Sequence, residues 1–211
     1  MKIQTRGEEI ANSITHGIAT LLSIAGLVIL LVVSAAAGSV WAVTSLSIFG
    51  TSLIILYLVS TLYHSITHIG AKRVLKILDH SSIYLLIAGS YTPIALVILR
   101  GPWGWSLFGI IWGMALLGVC LHVFALDRFK ILSILSYLIM GWLVVIAIKP
   151  LTESCEKGLI FWLLTGGLAY TFGTIFYSWK KLPYHHTLWH LFVIGGSIAH
   201  FFGMLFYIAP G

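Results

Sequence analysis

Charged residues are scarce in this sequence. Its 211 residues include 12 Lys and Arg and 6 Asp and Glu, so only 9% are charged, whereas 59% are hydrophobic. A soluble domain usually carries about 25% charged residues, and disordered chains are polar and rich in charge. The composition therefore excludes a soluble globular protein and a disordered one. It predicts an integral membrane protein whose surface contacts the lipid bilayer.

Cysteine is also scarce, and basic residues do not cluster. Two cysteines cannot build a disulfide framework. A formal net charge of +6 suits nucleic acid, but nucleic-acid-binding proteins concentrate their Lys and Arg on one face. Here these residues are scattered singly or in short groups between apolar runs. Nucleic acid is therefore excluded as a partner.

Uncharged stretches divide the sequence into membrane spans. A spanning helix needs about 20 mostly apolar residues, and only helices pair all their backbone groups within such a segment. The first uncharged stretch, 10–71, is long enough for two helices joined by a turn at Ala37-Gly38-Ser39. The sequence thus predicts an all-α, seven-transmembrane helix bundle formed by one domain over 1–211. The predicted spans lie near 14–37, 41–65, 80–99, 103–126, 130–149, 158–179 and 186–208.

Lys and Arg are distributed unequally between the two sides of this bundle. An excess of Lys and Arg in short cytoplasmic loops is typical of membrane proteins. A cytoplasmic N-terminus places the larger group inside, so we expect that orientation, with the C-terminus outside, in the cell membrane. The inner group is Lys2, Arg6, Lys72, Arg73, Lys76, Arg128, Lys130, Lys180 and Lys181, and the outer group is Arg100, Lys149 and Lys157. Cys120 and Cys155 fall at different depths and are not expected to pair.

A cleavable signal peptide is the alternative interpretation of the first span. Lys2 and Arg6 precede an apolar stretch, and the three alanines at 35–37 resemble a cleavage site. Glu8 and Glu9 are unlike a plain signal sequence. We therefore favour a retained helix.

Nine histidines are an unusual number for so apolar a chain, and ionisable groups inside membranes are costly and often functional. His186 and His190 are four residues apart at the start of the seventh span, which places both on one helix face. This spacing lets two imidazoles reach one metal ion, although two interfacial histidines without a metal are the alternative. Thr187 replaces the Glu of the His-Glu-x-x-His zinc motif, so a catalytic base must come from another helix.

Three further polar residues lie near the ends of two predicted spans. Ser60 and His64 share a helix face near the end of the second span. The plainer interpretation is a histidine at a helix end beside a serine bonded to its own backbone. Asp79 opens the predicted third span, either as an N-cap with Ser82 three residues later or as a catalytic carboxylate.

Membrane topology favours the functional interpretation of these positions. With the N-terminus inside, the second span ends at the cytoplasmic interface. The third and seventh spans begin at the same interface, so all five residues lie at one depth. Three imidazoles with an open fourth position are typical of catalytic zinc, which produces hydroxide from water at neutral pH. In such a site Asp79 would hold the water and carry its proton, and Ser60 would orient it or bind a developing oxyanion.

These motifs resemble, in the same order, those of the progestin and adipoQ receptor family. They are Ser60-x3-His64, the segment from Asp79 through Ser90-Tyr91-Thr92-Pro93, and His186-x3-His190. The opening segment at 8–17, Glu-Glu-Ile-Ala-Asn-Ser-Ile-Thr-His-Gly, resembles the bacterial hemolysin III branch. The resemblance covers nearly the whole chain.

The resemblance implies seven helices, an intracellular N-terminus and a zinc ion near the cytoplasmic face. Its implied ligands are His64, His186 and His190, with Ser60 and Asp79 beside the bound water. The wider superfamily includes the alkaline ceramidases, which have a similar residue set and hydrolyse a lipid amide. Eukaryotic members carry a cytosolic extension and act as receptors. This sequence starts a few residues before its first span, which disfavours a receptor role.

Histidines outside these motifs have plainer interpretations. We expect His200, deep in the seventh span, to make an interhelical hydrogen bond. His16 and Asn12 lie on one face of the first helix and serve either in polar packing or in substrate contact.

Three functions compete. The first is a zinc-dependent hydrolase acting on an amide or ester of a membrane lipid. The second is non-enzymatic, either a cytolysin of the hemolysin III type or a regulator of membrane lipid state and fluidity, although the sequence has no amphipathic hairpin typical of pore formation. The third is an ion or proton transporter relaying through His16, His122 and His200, which the absence of acidic residues from the middle of every predicted span disfavours.

Overall fold

The computed structural model describes residues 4–125 and 130–211. Within these ranges the regular secondary structure is helical, and seven helices are long and apolar enough to cross a membrane, which confirms the predicted fold class. Lys2 and Arg128, the side chain of Lys130 and the predicted span end at 126 lie outside this description. The α-helices are α1 (Arg6–Ala36), α2 (Val40–Ser65), α3 (Ile69–Pro93), α4 (Pro102–Ala125), α5 (Lys130–Trp142), α6 (Ile148–Ser154), α7 (Lys157–Ser178) and α8 (His185–Tyr207).

Four of the predicted spans agree with the structure to within one residue at every described end. They are α2, α4, α7 and α8. The turn between α1 and α2 also lies where Ala37-Gly38-Ser39 predicts it. Gly38 adopts a positive φ of 73°, and the Ser39 hydroxyl accepts a hydrogen bond from the backbone N–H of Ala42 at 3.2 Å. The remaining three spans differ from the prediction.

α1 begins at Arg6, eight residues before the predicted start of the first span near 14. The Thr5 hydroxyl accepts a hydrogen bond from the backbone N–H of Glu8 at 3.2 Å, and the Glu8 carboxylate accepts one from the backbone N–H of Thr5 at 2.7 Å. This reciprocal pair is a capping box, which satisfies two backbone donors at the helix start. Glu8 and Glu9 therefore belong to the first helix.

The third helix also begins before its predicted span, 80–99. α3 begins at Ile69, where the side chain of His68 accepts a hydrogen bond from the backbone N–H of Ala71 at 3.2 Å. The helix ends at Pro93 and continues as one π-helical turn over Ile94–Ile98. A helix can extend beyond the apolar layer into water, where Lys and Arg are stable, so an apolar stretch predicts only its membrane-embedded part.

The fifth span is interrupted and reaches beyond its predicted end at 149. α5 is followed by a 3-10 turn over Leu143–Ala147 and then by α6. The hydroxyl of Tyr91, on α3, donates to the carbonyl oxygen of Gly141 at 2.9 Å and accepts from the backbone N–H of Val144 at 2.9 Å. Tyr91 thus pairs two backbone groups at the interruption. Leaving these groups unpaired in hydrocarbon would be costly.

α3 lies at the centre of the bundle. In its most apolar 18-residue stretch, 72% is buried inside the protein, compared with 11% for the fifth span. α1 packs against α2 and α8, α2 packs against α3, and α7 packs against α8. α5 contacts α3, α4 and α7. Gly89 allows α3 to approach α2 closely, because a Cβ atom at this position would collide with the side chain of Ser52.

Candidate metal centre and its cavity

Three histidines from two helices meet at one end of the bundle. His64 lies in the last turn of α2, and His186 and His190 lie in the first two turns of α8. Each offers one ring nitrogen, and these three atoms all lie within 4.8 Å of one another. The ring centroids are 4.6 Å apart for His186 and His190, 5.1 Å for His64 and His186, and 5.2 Å for His64 and His190. The predicted convergence of these residues is therefore observed.

His64 is oriented by a carboxylate from α1. Its Nδ1 lies 2.7 Å from Oε2 of Glu9, and the ammonium of Lys72 donates to the other oxygen, Oε1, at 2.8 Å. An ionised carboxylate only accepts hydrogen bonds, so Nδ1 of His64 carries the proton. The opposite nitrogen, Nε2, is buried and has no hydrogen-bond partner among the described residues. A lone pair is thus available at the centre of the cluster.

His190 is oriented in a similar way. The hydroxyl of Thr15 donates to the carbonyl oxygens of Ala11 and Asn12, both at 2.9 Å. It also lies 3.3 Å from Nδ1 of His190. Because the hydroxyl proton is directed at the carbonyls, Nδ1 of His190 is the donor in this contact. This tautomer leaves Nε2 of His190 free to bind a metal.

The first turns of α1 contribute more to this site than the sequence motifs indicate. The carboxylate of Glu8 accepts a hydrogen bond from the backbone N–H of Tyr184 at 3.1 Å. The side-chain oxygen of Asn12 accepts one from the hydroxyl of Thr187 at 2.6 Å. These contacts fix the start of α8, which carries two of the histidines. The signal in the sequence was the series of polar residues near the start of an otherwise apolar helix, but it did not identify their partners.

Ser60 and Asp79 line the same cavity as His186 and His190. Ser60 is buried one helical turn before His64, and the side chain of Asp79 is 14% exposed. The N-cap interpretation of Asp79 is wrong, because this residue lies about three turns into α3. Ser82 instead donates its hydroxyl proton to the carbonyl oxygen of Asp79 at 2.6 Å. The Asp79 carboxylate thus lies at the histidine end of the cavity.

The cavity has a volume of about 180 Å³ and is mostly apolar. Its lining on α3 and the start of the π-helical turn extends from Asp79 to Ile94, which corresponds to about 22 Å at 1.5 Å per residue. The fifth span lines the opposite side from Ile134 to Leu151. One long apolar space therefore connects the histidine cluster with the other end of the bundle.

The donor set fits a zinc ion. Zinc in catalytic sites is typically bound by three protein ligands, often imidazoles, at about 2.0–2.1 Å. Tetrahedral bonds of this length place ligand nitrogens about 3.3 Å apart, so small side-chain rotations bring the three histidines into range. Cys120 and Cys155 are both free cysteines and neither joins the cluster. Three histidines with no cysteine favour an open site over a closed structural one.

Histidines outside the cluster take other positions. Nε2 of His200 lies 3.3 Å from the carbonyl oxygen of Leu163 on α7, which confirms the predicted interhelical hydrogen bond. His122 stacks near His80 with ring centroids 5.7 Å apart. His16 stacks on His190 with ring centroids 3.5 Å apart.

Comparison with known proteins identifies clear relatives. A family model described as Haemolysin-III related matches residues 4–201. The "Hemolysin-3 homolog" of Bacillus subtilis (strain 168) is 54% identical over 200 residues, which cover 95% of this chain and 94% of that protein. "Hemolysin-3" of Bacillus cereus is 51% identical over 203 residues, with 96% and 93% coverage.

A more distant human relative matches over a similar length. The "Monocyte to macrophage differentiation factor" of Homo sapiens is 28% identical over 210 residues, which cover 95% of this chain and 84% of that protein. No solved structure matches the chain.

Proposed function

The chain belongs to the Haemolysin-III related family of multi-pass membrane proteins, and we propose that it is a zinc-dependent hydrolase of a membrane lipid, cleaving an amide or ester bond. One observation carries this proposal. Three histidines lie close enough to hold a metal, and two of them, His186 and His190, line one apolar cavity together with Asp79 and Ser60. Such a cavity offers the apolar lining that an acyl chain requires, with the polar linkage placed at the histidines.

His64, His186 and His190 hold the metal in this proposal. Glu9 and Thr15 support it, because each occupies the second nitrogen of a ligand histidine, a common arrangement in metal sites. A bound zinc ion supplies Lewis acidity, which polarises a carbonyl group and makes water more acidic at neutral pH. Asp79 and Ser60 do not bind the metal and perform the remaining chemistry.

Asp79 moves the proton. Its carboxylate oxygen accepts a proton from the water molecule whose oxygen attacks the carbonyl carbon. It then delivers that proton to the leaving nitrogen or oxygen as the carbon–nitrogen or carbon–oxygen bond breaks. The hydroxyl of Ser60 donates a hydrogen bond to the carbonyl oxygen as negative charge develops there. The products are a fatty acid and an amine or alcohol.

The distribution of Lys and Arg supports a cytoplasmic N-terminus in the cell membrane. The start of α1, the end of α2 and the start of α8 then lie near the inner leaflet. In this orientation the histidine cluster is at the depth of the inner lipid headgroups, where amide and ester linkages lie.

The proposal is tested by incubating the purified protein with a panel of lipid amides and esters and measuring their cleavage. We expect His190→Ala to lose both bound metal and turnover. Asp79→Asn should retain the metal, measured by elemental analysis, and reduce turnover at least about 100-fold. His122→Ala is a matched control, because it removes a buried histidine outside the cluster. Cleavage that is equal in the wild-type and His190→Ala proteins would contradict the proposal.

The names of the two Bacillus relatives raise cytolysis as a second candidate function. Lysis of added red cells by the purified protein distinguishes the two. A hydrolase needs an intact histidine cluster for any effect on membranes. Lysis that persists undiminished in His190→Ala would therefore favour a cytolysin that works without the metal site.

A further inference from the structure

His16 lies beside the metal centre but takes no part in the function proposed above. It is 4% exposed and is held between two rings. His190 stacks on it at 3.5 Å with an interplanar angle of 10°, and Tyr57 contacts it edge-on at 4.9 Å. The position of the His16 imidazole is thus defined by packing on two sides.

Both ring nitrogens of His16 are buried without a hydrogen-bond partner among the described residues. A neutral imidazole carries one donor and one acceptor, and nearly all buried polar groups in proteins are paired. Its neighbour Tyr57 contacts His16 only through an edge-on ring contact, and the Tyr57 hydroxyl donates to Ser197 at 2.6 Å. The hydrogen-bonding capacity of His16 is therefore not used by the described side chains and is available to a molecule bound beside it.

His16 is not a fourth ligand of the metal. A metal binds an imidazole through a lone pair in the plane of the ring. The rings of His16 and His190 are nearly parallel and stacked, so their lone pairs lie in separate planes. One ion cannot bind in plane to both nitrogens. The orphaned nitrogens of His16 therefore require another explanation.

The cavity supplies that explanation. His16 and Ser60 both line it, at the same end as Asp79, His186 and His190. We propose that His16 forms a subsite that hydrogen-bonds a hydroxyl group of the bound lipid, next to the linkage that is cleaved. A hydroxyl group both donates and accepts, so it pairs with either nitrogen of the imidazole, whereas a carbonyl or carboxylate oxygen pairs only with the donor. This inference rests on the proposed function and narrows its substrate class to lipids that carry a free hydroxyl near the linkage.

Two amides that differ by one oxygen atom test the subsite. The probes are N-(2-hydroxyethyl)dodecanamide and N-ethyldodecanamide, and their binding is measured by calorimetry in metal-loaded Asp79→Asn protein so that neither is consumed. We expect the hydroxyl probe to bind about three- to tenfold more tightly, the range for one additional neutral hydrogen bond. His16→Phe should abolish this preference, because phenylalanine preserves the stacked ring and removes both nitrogens.

Two further variants separate hydrogen bonding from packing. His16→Gln supplies an amide donor and acceptor and should restore part of the preference. His200→Phe is the matched control, because His200 lines the same cavity farther along α8 and also has a buried nitrogen without a partner. It should leave the preference unchanged. Elemental analysis should find the metal retained in His16→Phe.

The outcomes of these measurements distinguish failure of the His16 subsite from failure of the proposed hydrolase function. Equal affinity for the two probes, or a preference that survives in His16→Phe, overturns the subsite and leaves the hydrolase proposal standing. Loss of metal in His16→Phe identifies His16 as a ligand and also overturns it. If the preference is found but no lipid is cleaved by the wild-type protein, the subsite holds and the hydrolase fails. If neither probe binds, both fail.

Discussion

At the residue scale, Glu9 makes the contact that most directly orients a ligand of the proposed metal centre. Its carboxylate holds Nδ1 of His64 at 2.7 Å. Replacement of such an outer partner commonly weakens metal binding about 10- to 100-fold. We therefore expect Glu9→Leu to lose zinc affinity within this range, measured by competition with a chromophoric chelator. Glu9→Gln retains an oxygen acceptor and should lose less.

Ser65→Ala provides the control for the Glu9 variants. Ser65 also lies at the end of α2, but its hydroxyl contacts Ser13 and the carbonyl oxygen of Thr61 and does not reach the histidines. The zinc affinity of the Ser65→Ala protein should equal that of the wild-type protein. A Glu9→Leu protein with unchanged affinity would show that Glu9 does not support the metal site.

The sequence identified the histidines of the site but not their supporting residues. His186 and His190 are recognisable because a spacing of four places them on one helix face. Glu9 and Thr15 have no such signature, since their partners lie on other helices and depend on how those helices are rotated. Polar residues at a helix start also have an ordinary explanation as caps, and Glu8 does form a capping box. Only the packing of the helices shows that Glu9 and Thr15 also contact the histidines.

At the scale of single elements, the interruption of the fifth span depends on Tyr91. The Tyr91 hydroxyl makes one hydrogen bond to Gly141 and one to Val144. We expect Tyr91→Phe to lower the free energy of unfolding by about 1–3 kcal/mol, because two backbone groups within the apolar span lose their partner. Thermal unfolding of the detergent-solubilised protein measures this effect.

The neighbouring residue supplies the control for Tyr91. The Ser90 hydroxyl donates only to a carbonyl within its own helix, that of Ile87 at 2.8 Å. Ser90→Ala should therefore change the midpoint of unfolding much less than Tyr91→Phe. Equal midpoints for the two variants would mean that the Tyr91 hydroxyl contributes nothing to the interruption.

The helix ends show where sequence patterns are informative. The pattern of uncharged stretches predicted the ends of α2 closely because this helix has no Asp, Glu, Lys or Arg from end to end. It placed the starts of α1 and α3 too late, because both helices begin with polar turns that capping side chains stabilise. The interruption after α5 had no sequence signal, since Leu143–Ala147 is as apolar as an ordinary spanning helix. Its backbone groups are paired by a residue 50 positions away.

At the scale of the whole molecule, the orientation in the membrane is open to a direct test. Cys155 lies between α6 and α7 and should face the outside if the N-terminus is cytoplasmic. We expect a membrane-impermeant maleimide to label Cys155 in intact cells that express a Cys120→Ala protein. Labelling that appears only after the cells are permeabilised would reverse the orientation.

The pH of this labelling reaction matters. Partial burial and the adjacent carboxylate of Glu156 raise the pKa of the Cys155 thiol above its ordinary value. The thiolate is the reactive form, so its fraction is small at neutral pH and increases as the pH rises. Labelling is therefore compared at mildly alkaline pH, and a urea-denatured sample shows that the thiol is reactive.

The peripheral position of the fifth span has a kinetic consequence. This span forms one side of the cavity, yet only 11% of its most apolar stretch is buried. Under the proposed function, a lipid substrate therefore enters most directly by lateral diffusion within the leaflet, without crossing water. Under the proposed function, the rate then depends on the mole fraction of substrate among the surrounding lipids. Diluting the substrate with an inert lipid slows turnover even when its bulk concentration is constant.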